Sequence, residues 1–277
     1  MAEAFRAACT GDLDTVKSCL EGVDAMDINE VDEGVPYATG LTLLLCAVGG
    51  DTRQGRNKGH LDVARYLLSR GADIHFRDEE SEETALLLAC SAFRRPDDYR
   101  GEIVDLLLTA GSAPNARNDY GYTPLGKLLG KVGSPVYGEC MRSVRSLLRA
   151  GAALDLCGQE GEGDPPYVDI SAERILEIRE QELRGFAGRH TPVNFGELTA
   201  VKNLVTGVRA AGSFKRYLRE PHREVLALRG LAMRGFITPT TRRTRGSQQW
   251  KTAVAFLARH GDNGVVWNVL SFWRAAE

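Results

Sequence analysis

The 277-residue sequence has no stretch that approaches the roughly 18 consecutive apolar residues of a membrane-spanning helix. Its first residues, MAEAFRAACTGDLD, include acidic side chains where a signal peptide would have a basic and then an apolar segment. We therefore expect a soluble protein with no membrane partner, located in the cytoplasm, with the nucleus left open. The composition is that of a folded chain, because 43% of the residues are hydrophobic and 26% are charged.

Motifs for metal binding and catalysis are also missing. The six cysteines lie far apart and include no CxxC pair, so we expect reduced thiols in the core rather than a disulfide scaffold or a zinc site. The sequence contains no GxSxG, no HExxH, no P-loop and no glycine-rich dinucleotide fingerprint. We accordingly assign no catalytic, cofactor-binding or metal-binding residue and predict that the protein is not an enzyme.

The two halves of the chain differ in charge. Residues 1–155 hold 17 basic and 24 acidic side chains, a net charge of −7, whereas residues 156–277 hold 18 and 13, a net charge of +5. Such an asymmetry indicates either two partners or two domains that attract each other.

Three segments of the acidic half repeat one pattern. Each has a short apolar segment followed by a longer one with a glycine near its end: GLTLLLCAV (40–48) with HLDVARYLLSRGAD (60–73), EETALLLAC (82–90) with EIVDLLLTAGSA (102–113), and GYTPLGKLL (121–129) with RSVRSLLRAGAA (142–153). A degenerate fourth copy, AFRAACTGDLDTVKSCLEG, precedes them at residues 4–22. These copies resemble ankyrin repeats over residues 1–155. The resemblance implies an all-α fold, an ankyrin-repeat solenoid of about four helix pairs, and a structural role for His60.

Local signals place the helices within each copy. Thr42, Thr84 and Thr123 can each cap a first helix through the side-chain hydroxyl, and Pro124 suits the first helical position. The second helices carry apolar residues at i, i+3 and i+4, the spacing of one buried face. Left-handed glycine caps are predicted to end them, at Gly71, Gly111 and Gly151.

The copies are longer than the usual ankyrin period of about 33 residues. The additional residues fall between the first and second helices, in segments 49–59, 93–100 and 130–138, which contain glycine or proline. Stacked repeats would place these segments side by side as a loop ridge. This ridge is either tolerated surface decoration or a binding edge, for which Arg94, Arg95 and Tyr99 are candidate protein-binding residues.

The turns between repeats carry a second set of candidates. An acidic turn precedes Thr84, and Glu82 stands where the other copies have Gly40 and Gly121. Its members are Asp78, Glu79, Glu80, Glu82 and Glu83. The ankyrin resemblance implies that these turns and the first helices form a concave binding surface, so the acidic turn is a candidate docking site for a basic segment. The alternative is that the acidic turn is only a solvated tip.

Tyr120 and Tyr122 are candidate interface anchors or, alternatively, cover the neighbouring turn.

The pattern ends after Asp155. The segment 156–168, which contains CGQEGEGDPP, is predicted to be a linker, and residues 169–277 to be a C-terminal helical module packed on the end of the array. The predicted helices are 171–187, 196–211, 222–235, 249–259 and 264–274, with no alternating strand pattern. Asn194 and Glu197 resemble a capping box. Segments 208–235 and 256–274 resemble the tails of uncharacterised ankyrin-repeat proteins from unicellular algae, and that resemblance implies no activity.

The last predicted helix decides between two functions. It has an apolar face composed of Val266, Trp267, Val269, Leu270 and Trp273. If this face docks on the chain itself, the protein is a monomeric, non-enzymatic module that binds an unknown protein partner through its concave surface and loop ridge. If it recruits a second protein, it resembles the first helix of an F-box or SOCS box, and the chain is an adaptor of a ubiquitin ligase. The basic residues near 241–246 are expected to be solvated, so no nucleic acid partner is predicted.

Overall fold

A computed structural model describes residues 2–22, 25–32, 40–49, 57–91, 99–134, 140–160, 168–186 and 193–220. Within these ranges the chain forms eleven helices and two short strands. The helices that precede the strands are α1 (Ala2–Thr10), α2 (Leu13–Glu21), α3 (Leu43–Gly49), α4 (Lys58–Ser69), α5 (Ala85–Cys90), α6 (Arg100–Thr109), α7 (Pro124–Leu129) and α8 (Met141–Arg149). The remaining elements are β1 (Gly158–Glu160), β2 (Val168–Ile170), α9 (Ala172–Phe186), α10 (Phe195–Ala211) and α11 (Phe214–Arg219).

The chain divides into two compact units, Met1–Arg209 and Ala210–Glu277. In the second unit the description ends at residue 220 and includes α11, whose first turn is capped where Ser213 Oγ accepts the Arg216 N–H at 3.2 Å. The boundaries predicted from the sequence lie at residues 155 and 168. The predicted helices 222–235, 249–259 and 264–274, with the five apolar residues of the last one, lie outside the described residues.

The first eight helices form two rows. The first helices α1, α3, α5 and α7 pack on one another in chain order, and each contacts its own second helix. The second helices α2, α4, α6 and α8 also pack in chain order. The rows meet on apolar side chains that are completely buried, including Leu67, Leu107 and Leu147 of the second helices. The mainly helical class predicted from the sequence is confirmed.

Hydrogen bonds and backbone angles confirm the predicted helix ends. Thr42, Thr84 and Thr123 accept, through the side-chain hydroxyl, the backbone N–H three residues later, at 3.5, 3.4 and 3.2 Å. Each bond satisfies a donor that a helix N-terminus leaves without a partner. The glycines after the second helices adopt the left-handed conformation, with φ of 90° at Gly71, 102° at Gly111 and 92° at Gly151.

A hairpin-like turn, here called a finger, precedes each of the first helices α3, α5 and α7. The first finger includes the described residues 25–32 and 40–42, the second residues 72–84 and the third residues 112–123. Each closes with a backbone bond from Asp32 to Leu41 (3.1 Å), from Asp78 to Glu83 (3.2 Å), or from Asn118 to Tyr122 (3.2 Å). A backbone bond of the same type therefore closes all three fingers.

Strands β1 and β2 follow α8 in the chain and were not predicted. They pair antiparallel, with Gly158 opposite Ile170 and Glu160 opposite Val168. The Thr123 N–H donates to the Cys157 carbonyl at 3.1 Å, so the start of this hairpin lies beside the third finger. Each strand has three residues, which is too short for an alternating pattern to appear in the sequence. Part of the predicted linker is thus ordered sheet.

Helices α9 and α10 correspond closely to two predicted helices and contact the last repeat. Arg179 Nε donates to the Val132 carbonyl at 3.0 Å, and α9 packs on α7. Asn194 Oδ1 caps α10 by accepting the Glu197 N–H at 3.0 Å, as predicted. The Glu197 carboxylate instead accepts the backbone N–H groups of Gly133 and Cys140, at 3.1 and 2.5 Å. No helix within the described ranges is long and apolar enough to cross a membrane.

Candidate protein-binding surface

The tip of the second finger is built around a residue with unusual backbone geometry. Glu82 has φ of 52°, in the region where Gly40 and Gly121 have φ of 78° and 72°. A side chain in the left-handed region costs about 1 to 2 kcal/mol relative to glycine. Arg77 supports this conformation, because its Nη1 donates to the Glu82 carbonyl at 3.0 Å. The predicted equivalence of Glu82 with the two glycines is confirmed.

Asp78 stabilises the same turn through its buried carboxylate. Its side chain is buried, and its carboxylate accepts backbone N–H groups from Glu80 at 3.1 Å, from Ser81 at 2.7 Å and from Glu83 at 2.8 Å. These charge-assisted bonds fix the turn around the carboxylate. Asp78 is therefore a structural residue and does not offer its charge to a partner.

Glu83 is also buried and is used within the chain. Its carboxylate forms an ion pair with Lys127 of α7 and accepts a bond from Asn118 Nδ2 at 3.1 Å. The contact links the second finger to the third finger and to the next first helix. Of the five acidic residues in the predicted site, Glu79, Glu80 and Glu82 remain exposed.

The two predicted tyrosines of the third finger have different environments. Tyr120 is 63% exposed at the tip, beside the exposed Asp119. The Asp119 N–H donates to the Ser81 carbonyl at 3.1 Å, so the second and third tips are joined. Tyr122 is half-buried and lies against Gly158 of the hairpin. We call the exposed set Glu79, Glu80, Glu82, Asp119 and Tyr120 the tip surface.

The predicted loop ridge is only partly described. Tyr99 is 36% exposed and occupies the residue before α6, where its side chain makes no capping bond. Arg94 and Arg95, and most of the three long segments, lie outside the described residues.

A groove of about 740 Å³ lies between α7, the β1–β2 hairpin and α9. Its apolar lining comes from Tyr122, Ile170, Ile175 and Ile178. Tyr122 lines the groove and belongs to the third finger, so the groove extends to the finger that carries Asp119 and Tyr120 of the tip surface. The sequence did not predict it, since its walls come from segments far apart in the chain. The pair Ile175 and Ile178 gave only the weak signal of an apolar stripe on α9.

Two glycines, Gly126 in α7 and Gly130 directly after it, line the groove and differ in their surroundings. A methyl group on Gly126 would overlap the Cys157 carbonyl oxygen. A methyl group on Gly130 would make only ordinary van der Waals contacts, at 3.7 and 3.8 Å. The hairpin is therefore seated directly on α7 at Gly126, whereas space is open at Gly130.

Four charged side chains that line the groove are held in ion pairs: Lys127, Glu160, Arg179 and Glu182. Lys127 pairs with Glu83, and Arg179 Nη1 lies 2.9 Å from Glu182 Oε2. Arg174 donates two hydrogen bonds to Glu160, at 2.9 and 2.6 Å. These bonds hold the pKa of the Glu160 carboxyl below its ordinary value. With these charges paired, the apolar side chains determine what the groove can accept.

The part of the chain that the structure describes contains no group of three or more His, Cys, Asp or Glu residues placed to hold a metal ion. His60 is buried, and its Nε2 lies 2.8 Å from the Cys9 carbonyl oxygen while its backbone N–H donates to Asn57 Oδ1 at 3.2 Å. These contacts join the start of α4 to α1. They give His60 a structural role.

Comparison with known proteins identifies one part of the chain. Residues 39–79 match the family model of the ankyrin repeat. No curated protein matches the sequence. The matched stretch includes α3, α4 and the second finger as far as Glu79. The chain therefore contains an ankyrin-repeat segment, and this class of segment indicates a protein–protein interaction module.

Proposed function

We propose that the chain is a non-enzymatic interaction module that binds a basic segment of a protein partner on its tip surface and adjoining groove. The observation that carries the proposal is the position of the exposed acids Glu79, Glu80 and Glu82 beside an exposed tyrosine and an open apolar groove. Exposed aromatic side chains and apolar clefts anchor partners, while surrounding charges select and orient them.

The proposal extends the ankyrin architecture beyond the matched residues. The four helix pairs α1–α2, α3–α4, α5–α6 and α7–α8 would form one solenoid, with the fingers and first helices on its concave side. The three finger closures and the two rows of packed helices support this arrangement. The contact of α9 with α7 supports the further proposal that the following helices cover the end of the array.

Rigidity of the tips is a requirement for this role. The Asp78 carboxylate, the Arg77 guanidinium and the Asp119–Ser81 backbone bond fix the second and third tips relative to each other. A partner would then lose little of its binding free energy to ordering the surface. The buried acids Asp78 and Glu83 therefore hold in place the turn that carries Glu79, Glu80 and Glu82.

The test uses a display library of random peptides selected against the full chain. We expect enriched peptides to combine Lys or Arg with an apolar side chain. The double variant Glu79→Lys and Glu80→Lys should weaken their binding about tenfold, because two favourable rim charges become repulsive. The matched control replaces Glu3 and Asp14 by lysine; both residues are exposed, on α1 and α2. It makes the same change in net charge and should leave affinity within about twofold.

A groove variant separates the two parts of the surface. Gly130→Trp places a large side chain in the open space beside α7 and should weaken the selected peptides without unfolding the chain. Enrichment of acidic peptides, or equal loss of binding in the tip variant and its charge control, would contradict the proposal.

The adaptor alternative gains no support from the described residues, because the helix on which it depends lies outside them.

A further inference from the structure

The segment that follows α8 begins in the same way as the second and third fingers. The Ala152 N–H donates to the Leu147 carbonyl at 3.0 Å, and the corresponding backbone bonds after α4 and α6 are also 3.0 Å long. Asn115 Oδ1 of the third finger accepts the Ala153 N–H at 2.8 Å, as Asn29 Oδ1 of the first finger accepts an N–H at the start of the second at 2.7 Å. The segment with strands β1 and β2 is therefore positioned as a fourth finger.

Helices α9 and α10 correspond in the same way to a first and a second helix. Ser171 Oγ caps α9 by accepting the backbone N–H three residues later at 3.4 Å, as the three threonines cap α3, α5 and α7. Helix α9 packs on α7, the last member of the row of first helices. Arg209 near the end of α10 pairs with Glu173 at the start of α9. Lys202 pairs with Glu180 at the middle of the two helices, so α9 and α10 run antiparallel.

The hairpin contacts the third finger much as the third finger contacts the second. Arg77 of the second finger donates through Nη1 to the Arg117 carbonyl of the third at 2.7 Å. Arg117, at the corresponding position of the third finger, forms an ion pair with Asp169 of β2. The Gln159 side chain of β1 lies against Gly121. These contacts give the hairpin the next place in the row of fingers.

The hairpin adds an exposed apolar side chain to this row. Val168 of β2 is 63% exposed, the same fraction as Tyr120. Alternate residues of a strand point to the same face, so Val168 lies on the face of β2 that carries Ile170. Ile170 lines the groove, and Val168 extends its apolar wall towards the outer end of the hairpin. The second finger offers exposed acids, whereas the fourth offers an apolar contact.

On the basis of the proposed function, we propose that β1, β2, α9 and α10 form a fifth repeat and that the partner segment extends across the finger tips from the acids of the second finger to Val168 of the fourth. Packed helices lie about 8 to 10 Å apart, so α5 and α9, which both pack on α7, are separated by about 16 to 20 Å. An extended chain rises about 3.3 Å per residue. The partner is therefore an extended segment whose apolar side chain follows or precedes its Lys or Arg residues by about five or six positions.

The test is a double-mutant cycle between the full chain and a basic peptide enriched in the display selection, measured by titration calorimetry. The changes are Val168→Ser in the protein and replacement of the apolar residue by serine in the peptide. We expect Val168→Ser to weaken the parent peptide about fivefold and to leave the affinity of the serine peptide unchanged, because its apolar contact is already lost. Among peptides with increasing separation between the basic and apolar residues, binding should be tightest at about five or six positions.

The outcomes separate this inference from the proposed function. The inference fails alone if the Glu79→Lys and Glu80→Lys variant weakens the peptide while Val168→Ser weakens the parent and serine peptides equally, or weakens neither. Tightest binding at a separation of about one or two positions would overturn it as well. If the selection enriches no basic peptide, the proposed function fails and this inference fails with it.

Discussion

The repeated array from α3 to α8 and the elements that follow it, β1, β2, α9 and α10, are held together in different ways. In the array, each finger closure, threonine cap and glycine cap recurs. The later elements are attached by contacts that each occur once, such as Arg179 to the Val132 carbonyl and Glu197 to two backbone N–H groups. Repetition distributes the stability of the array over equivalent contacts, whereas the later elements combine buried apolar side chains of α9 and α10, such as Leu176 and Val201, with polar contacts that each occur once.

The largest expected effect lies in the array. Leu107→Ala removes a completely buried side chain of α6 and should lower the free energy of unfolding by about 2 to 5 kcal/mol. Leu106→Ala, at a half-buried position of the same helix, is the control and should cost clearly less. Chemical denaturation of both variants gives the values. A loss below about 0.5 kcal/mol for Leu107→Ala would show that the rows do not pack as described.

The junction between the two regions is tested at Gly126 in α7 and at Gly130, the residue that follows it. Gly126→Ala must push the hairpin away from α7, because its methyl group overlaps the Cys157 carbonyl, and should cost about 1 to 3 kcal/mol. Gly130→Ala has room and should change stability by less than about 1 kcal/mol. The difference between their denaturation midpoints is the measurement. Equal midpoints would mean that the hairpin is not seated on α7.

The attached elements are tested at Glu197. Glu197→Ala leaves the Gly133 and Cys140 N–H groups without their carboxylate and should cost about 1 to 2 kcal/mol. Glu177→Ala, at an exposed position of α9, is the control. Amide hydrogen exchange should show faster exchange at Gly133 and Cys140 in the Glu197 variant. Unchanged exchange at Gly133 and Cys140 would show that the Glu197 carboxylate does not accept these bonds in solution.

The smallest effect is a dependence on pH. Arg209 donates to the Glu173 carboxylate at 2.6 and 2.8 Å and holds its pKa below the ordinary value of 4.5. The resulting stability is complete above that ordinary value and is lost as the pH falls through the folded-state pKa. Thermal melts between about pH 6 and 3 should therefore decline less steeply for Glu173→Gln than for the unmodified chain. Glu3→Gln, exposed on α1, is the control and should keep the original slope.

The same contrast explains what the sequence could predict. Threonine caps, glycine caps and the apolar stripe around Leu107 are local signals, and their repetition made them visible. The hairpin was missed because its three-residue strands carry no pattern and because its position depends on the Thr123 bond to Cys157. Contacts between distant segments leave no such signal.

The candidate site was predicted in part for the same reason. The acidic turn and the equivalence of Glu82 with glycine were visible in the alignment of the copies. Burial of Asp78 and Glu83 was not, because it depends on backbone N–H groups within the turn and on Lys127 and Asn118 in other elements. The groove was not predicted, because it forms only where α7, α9 and the hairpin meet in the folded chain.

The most direct measurement is an NMR titration of the isotope-labelled full chain with a peptide enriched in the display selection. The proposed function predicts the largest amide shifts at residues 79–82, 119–122 and around Gly130, reduced by added salt because the tip contacts are electrostatic. Shifts confined to the second helices α2, α4, α6 and α8, with the tips and the groove unperturbed, would contradict the proposed binding surface.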